Sequence, residues 1–203
     1  METLQKKLLI LVEGKDEIKF FEALAKYLAL SSFEVRECGG KDNFTNTITA
    51  VSKATGFDSV EKILLVRDAD FGENAQENTF KSLLDSLDKA ELPKPEKAFE
   101  WTELTKNKPQ VAIYVMPYEG AEGMLEHLCL ESIPEEEKKC LNTFFECMPE
   151  KPKYNRRAKA EVQAFLAAKE EPVVNLGLAS SKKYWNFEHS VFDDLKLLLA
   201  ECA

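Results

Sequence analysis

Four apolar runs, Leu8 to Val12, Phe33 to Cys38, Ile63 to Val66 and Val111 to Met116, alternate with longer stretches whose apolar residues recur every three or four positions. The first, third and fourth runs are continuously apolar, the pattern of strands buried on both faces, whereas Phe33 to Cys38 alternates with charge and predicts a more peripheral strand. Between them, Ile18, Phe21, Leu24, Ala25 and Leu28 lie at helical spacing and predict a helix over 16–30. The turn Gly39-Gly40-Lys41-Asp42-Asn43-Phe44 opens a second helix to about Thr55, broken by Gly56-Phe57-Asp58. Phe80, Leu83, Leu84 and Leu87 mark a third over 74–91, and Pro93, Pro95 and the charged residues 96–109 an excursion before the last strand. Strands alternating with helices imply an α/β protein with a mainly parallel four-stranded sheet flanked by helices and right-handed crossovers.

The last third changes character. Segments 122–131, 134–147, 156–169 and 192–201 read as helices, with Leu195, Leu198 and Leu199 on the inner face of the last. The expected organisation is an α/β core over residues 1–130 and a C-terminal helical extension over 131–203, docked on that core. Trp185 and Phe187, at alternate positions, suit packing of the tail.

The totals narrow the class. With 203 residues, 44% hydrophobic and 31% charged, the chain has too much apolar content for disorder and enough length for one substantial core. No run approaches the roughly 18 to 20 apolar residues of a membrane span, and the short start leads directly into a strand, so no membrane association or secretion is expected. Cys38, Cys129, Cys140, Cys147 and Cys202 form no Cys-x-x-Cys pair and have only His127 and His189 for company. Free thiols and a cytoplasmic location are therefore expected.

A net charge of −9 argues against a broad electropositive surface, but the charge is unevenly placed. Residues 119–150 hold nine Glu and two Lys, whereas 151–169 hold Lys151, Lys153, Arg156, Arg157, Lys159 and Lys169 against Glu161. Together with Tyr154, and with Lys182-Lys183-Tyr184-Trp185, this basic stretch has the composition of a single-strand binding surface. A solvated helix face with core aromatics is the simpler account.

Candidate chemistry sits at the strand ends. Glu13 follows the first buried strand, with Gly14 expected to permit the sharp turn into the helix. Glu17, one helical turn on, faces the same crevice or only complements the helix dipole. Asp68 and Asp70 end the third strand, and in an extended strand end they point the same way. Parallel strands release their loops on one side of a sheet, so these acids can meet there. Oxygen-only ligands suit Mg²⁺ or Mn²⁺ and a phosphate substrate better than zinc, although a lone Asp-x-Asp also fits a capped, solvated loop. Lys15, Lys41 and Arg67 are the nearest cations for a phosphate, and the Gly39-Gly40 turn permits close approach beside Lys41.

Leu-Val-Glu-Gly-Lys-Asp-Glu at 11–17, the Gly-Gly turn, and Val-Arg-Asp-Ala-Asp at 66–70, in that order, resemble the TOPRIM fold of topoisomerases, bacterial primases, ribosomal-RNA-maturing ribonucleases and overcoming-lysogenization-defect (OLD) nucleases. The likeness spans roughly residues 6–130. Gly123-Met124-Leu125-Glu126, the stretch Lys159 to Ala167, Leu176-Gly177 and Tyr184 to His189 extend it to a small, mostly bacterial stand-alone TOPRIM family of uncharacterised function. The resemblance implies that Glu13 is a metal ligand or general acid and base, that Asp68 and Asp70 form the metal-binding pair, and that Glu17 and Glu126 match additional acids of OLD-type nucleases, where two metals are used.

The expected function is a Mg²⁺- or Mn²⁺-dependent nuclease or related phosphodiester-processing enzyme acting on DNA or RNA, in phage defence or nucleic-acid processing. A homo-oligomer or a partner protein is compatible with it. Topoisomerase and primase activities would need accessory domains for which the chain has no room. The alternative is a non-catalytic TOPRIM-like module binding a nucleotide, a metal or a protein. A phosphoacceptor receiver would need its acidic pair after the first strand, the reverse of what is found. No nucleophilic triad surrounds His127 or His189, and no Gly-rich nucleotide loop is present.

Overall fold

The computed structural model describes residues 3–202. Its four strands, β1 (Leu8–Val12), β2 (Phe33–Glu37), β3 (Lys62–Asp68) and β4 (Gln110–Met116), form one parallel sheet in the order β2-β1-β3-β4. Leu8 pairs with Phe33 on one side and Lys62 on the other, and Lys62 with Gln110, so all strands start nearly level. Every residue of β1 is buried, whereas β2 is only partly covered, as its alternating sequence requires of an edge strand.

Alternation along the strands sorts the core into two layers. Leu9, Leu11, Ile63, Leu65, Val111 and Ile113 turn to the face covered by α2 (Phe44–Ser52) and α3 (Ala75–Lys89). Leu8, Ile10, Val12, Leu64, Val66, Ala112 and Tyr114 turn to the opposite face. There they meet α1 (Lys15–Tyr27) and the later helices α4 (Leu125–Glu131), α6 (Arg157–Ala167), α7 (Leu176–Ser181) and α8 (Asp193–Ala200). α5 (Glu135–Cys147) is mostly exposed, with Phe145 its buried residue. The later helices therefore share one apolar core with the sheet: Trp185 is buried, stacked on Phe165 at 5.3 Å, and Phe187 packs edge-on against Phe20 at 5.6 Å.

The chain moves one way along the sheet from β1 to β2 and then the other way from β2 to β3 and β4, while the intervening helices change face. Reversing both direction and face keeps one hand for every crossover. It also places a topological switch between β1 and β3, where a crevice opens beyond the carboxyl ends of the strands. The segment after α3 runs along the outer edge of β4, with Phe99 N–H donating to Ile113 O at 2.8 Å and Thr102 N–H to Val111 O at 2.9 Å. These bonds occupy backbone groups that an open edge would expose. Among the described residues no helix is long and apolar enough to cross a membrane.

Candidate active site

Glu13 and Asp68 emerge at the two sides of the switch point, one from the end of β1 and one from the end of β3. The turn after β2 closes over the first of them: Cys38 N–H donates to Val12 O at 2.8 Å and Gly40 N–H to Glu13 O at 3.0 Å. Gly39 and Gly40 have φ of +77° and +101°, which side-chain-bearing residues rarely adopt. Gly14 departs from the expected role, because its φ of −147° and ψ of −168° are extended backbone open to any residue. What its small size provides is room, since a Cβ there would stand 3.2 Å from Glu17 Oε2.

Glu17 and Asp16 lie in the first turn of α1, and Glu126 in the first turn of α4. Glu17, Asp68 and Glu126 line one cavity of about 370 Å³, together with Lys15, Asp16, Leu125, Lys159, Asn175 and Leu176. Glu13 adjoins this group. Burial raises the pKa of its carboxyl, and the charge of Asp70 adds to the rise while Arg67, Lys41 and Lys159 oppose it. Burial likewise raises Glu17, helped by Glu13 and Glu126, and raises Glu126, where Lys159 works the other way. Asp68 is pushed furthest, well above the ordinary carboxylate value, by burial and then by the charges of Glu17, Glu126 and Glu13. Four carboxyl groups from separate elements thus share one electrostatic environment.

Asp70 stands apart. The strand stops at Asp68, and Asp70 has a left-handed backbone, φ +63°, pinned by a two-way bridge to Gly123: Asp70 N–H to Gly123 O at 2.9 Å and Gly123 N–H to Asp70 O at 2.7 Å. Its carboxylate pairs with Lys41 Nζ at 3.3 Å, on a part-exposed surface. The strand alternation from which Asp68 and Asp70 were expected to point the same way thus stops at Asp68, because Asp70 is left-handed rather than extended. Arg67 Nη1 donates to Ser82 Oγ at 3.2 Å while its Nε is buried without a protein partner.

Two features were not read from the sequence. Lys159, on α6, extends its Nζ to 3.9 Å from Glu126 Oε1 and is a cation bordering the cavity from the later helices. α7, with Asn175 accepting from Leu178 N–H at 2.9 Å as its N-cap, closes the cavity's far side. Its seat on α1 is a close approach in which Gly177 N–H donates to Asp16 Oδ1 at 3.2 Å and a Cβ at Gly177 would meet Lys19 Cβ at 2.8 Å. The Asn-Leu-Gly start of α7 was the available signal.

A divalent cation can be tested against this donor set. Among the described residues no three His, Cys, Asp or Glu side chains stand close enough to chelate one ion as arranged; the acids surround a space rather than touch. Their chemistry nevertheless fits a hard cation: all are oxygen donors, they repel one another, and Glu13 Oε2 is buried with no hydrogen-bond partner. An orphaned buried oxygen of this kind costs about 1–3 kcal/mol unless something satisfies it.

The sheet order and the acids at its switch point define an α/β protein with a four-stranded parallel sheet and an acid-lined cavity at the carboxyl edge. Within that class, the chain belongs to the family described as a protein of unknown function (DUF3226), whose model matches residues 7–203. No curated protein matches it. Among solved structures it is similar to the C-terminal region of the OLD protein of Xanthomonas campestris pv. campestris, phased with platinum. That match has 14% identity and a TM-score of 0.41, and covers 98% of this chain and 84% of that one.

Proposed function

We propose that this chain is a Mg²⁺- or Mn²⁺-dependent phosphodiester-processing enzyme, a nuclease in the simplest form, acting on DNA or RNA. The observation that carries the reading is the convergence of Glu13, Glu17, Asp68 and Glu126 on the switch-point crevice, with Glu13 Oε2 left unsatisfied. These four would hold the cation, with Asp70 joining them if its side chain leaves Lys41. A bound divalent cation supplies positive charge for activating a water and for the departing oxygen of an in-line displacement.

The chain's own residues do the rest. Lys15 and Lys159 border the cavity and Lys41 and Arg67 stand near Glu13, so a phosphate entering the crevice meets cations from separate elements. Glu13 Oε2 has no hydrogen-bond partner, and burial moves its carboxyl up from the ordinary value, towards that of a group able to give or take a proton when the cation does not engage it. Leu176 and Asn175 restrict the crevice on the side of α7.

The test is incubation of the purified chain with labelled single- and double-stranded DNA and RNA in Mg²⁺ or Mn²⁺, beside Asp68→Ala and Glu13→Ala. Cleavage lost in both variants supports the reading, and cleavage that survives both marks a contaminant. The engagement of Asp70 with Lys41 favours a second reading, a non-catalytic module for a nucleotide or protein partner. Absence of cleavage on every substrate, with retained binding of a ligand, would select it.

A further inference from the structure

Tyr154 is 72% exposed, although it is a large aromatic side chain, and it is not loose. Its hydroxyl donates to Glu122 Oε1 at 2.9 Å, and the other oxygen of that carboxylate accepts from Gly72 N–H at 3.1 Å. Its ring meets Phe71 edge to face at 5.2 Å, and Phe71 in turn meets His127 at 5.6 Å. Phe71 directly follows Asp70, so the exposed ring is mounted on the loop that leaves β3 at the acid-lined crevice.

The chain around Tyr154 is basic and open. Lys151, Lys153 and Arg156 are exposed and pair with no carboxylate among the described residues, whereas Arg157 is engaged by Glu161 at 2.6 Å. Pro152 lies between the two lysines and holds the preceding residue extended. Beyond Tyr154 the same segment enters α6 and reaches Lys159 at the cavity. The groove between α1 and Lys182–Glu188, of about 1340 Å³, is a poorer seat for a polyanion, because its free cations Lys26 and Lys183 stand among Glu22, Glu137, Glu170, Glu171 and Glu188, while Lys19, Lys169 and Lys182 are paired with three of these acids.

We propose that Tyr154, braced by Phe71, and the free cations Lys151, Lys153 and Arg156 form a landing platform for single-stranded nucleic acid, a base stacking on Tyr154 while the cations neutralise the flanking phosphates. An aromatic face accepts any base without reading its sequence, and unpaired cations are what a polyanion needs in a chain of net charge −9. A base inside a duplex has no free face to offer, so the platform selects unpaired strands. The proposal names the substrate class of the crevice and rests on the phosphodiester reading of that site.

The experiment is fluorescence anisotropy with labelled single-stranded DNA, single-stranded RNA and duplexes of the same sequence, with the full chain in EDTA so that no cleavage intervenes. Single strands are expected to bind more tightly than duplexes, and the DNA and RNA arms show which sugar is preferred. Tyr154→Ala is expected to weaken single-strand binding about tenfold, the loss of one base stack, while Tyr154→Phe stays within about twofold. Lys151→Ala with Lys153→Ala should lower the salt slope by about 0.7 per phosphate contact removed. Wild-type affinity in Tyr154→Ala, equal binding of duplexes, or no binding of any strand would overturn the platform. If Tyr154-dependent binding occurs without cleavage in Mg²⁺ or Mn²⁺, the enzymatic reading fails and the platform stands. If acid-dependent cleavage is indifferent to Tyr154, the platform alone fails.

Discussion

Asp68 Oδ1 accepts a hydrogen bond from the Leu125 backbone N–H at 3.0 Å, so the end of β3 anchors the first turn of α4 and, with it, Glu126. One carboxyl group thus both belongs to the acid cluster and holds another member of that cluster in place.

Replacing Asp68 separates these roles. Its folded pKa is raised above the ordinary 3.8, so folding favours the protonated form. The stability linked to that group is present below its unfolded value and is lost as pH rises through the folded value. Asp68→Asn keeps an acceptor for Leu125 N–H and cannot ionise. In EDTA it should be more stable than wild type at pH 8, the gap closing as pH falls towards 4, as read by urea denaturation. Asp68→Ala also removes the acceptor and should be about 1 kcal/mol less stable than Asp68→Asn. Wild type proving more stable than Asp68→Asn at pH 8 would contradict this account.

Cation binding should reverse that ordering. A ligand that binds only the folded chain stabilises it by about 2.7 kcal/mol when present at 100 times its Kd. Mg²⁺ or Mn²⁺ should therefore raise the Tm of wild type, EDTA should undo the rise, and Glu13→Gln and Asp68→Asn should show little of it. A shift of the same size in those variants would place the cation elsewhere.

The strands and the acids at their ends were legible because both depend on local pattern. The continuous apolar runs of β1, β3 and β4 mark strands covered on both faces, and the alternation of Phe33 to Cys38 correctly predicted the edge strand. The helix read from residue 122 begins only at Leu125, because Gly123 is held at φ +136° by its bridge to Asp70. That bridge joins residues distant in sequence, so neither it nor the left-handed turn of Asp70 shows in a local pattern. Lys159 reaches the cavity only because α4 and α6 pack together, and α7 is too short for helical periodicity to show. Tyr154 was visible as an aromatic in a basic run, but its contact with Phe71 was not.

The Lys41–Asp70 pair offers a test of function without stability. Their side chains are 51% and 46% exposed at a separation of 3.3 Å, and such surface pairs contribute about 0–1 kcal/mol. Lys41→Met should leave urea denaturation within about 0.5 kcal/mol of wild type. If Lys41 meets a phosphate in the transition state, cleavage should fall about 100-fold, the usual loss for one stabilising donor. Unchanged cleavage would reduce Lys41 to a partner of Asp70.

A side chain at Gly123 is expected to cost more than its backbone angle alone requires. An added Cβ would lie 2.9 Å from His127 Nδ1, and that ring cannot simply swing away, since Nδ1 accepts from Met124 N–H at 3.2 Å. Gly72 is the matched control: its φ is +132°, close to the +136° of Gly123, but a Cβ there meets nothing within 4 Å. Gly72→Ala should lose about 1–3 kcal/mol from backbone strain alone. Gly123→Ala should lose more, because the His127 contact is added and the bridge that sets Asp70 is disturbed. Urea denaturation of the two variants isolates that difference. Equal losses would mean that His127 yields without cost and that the bridge to Asp70 tolerates a side chain.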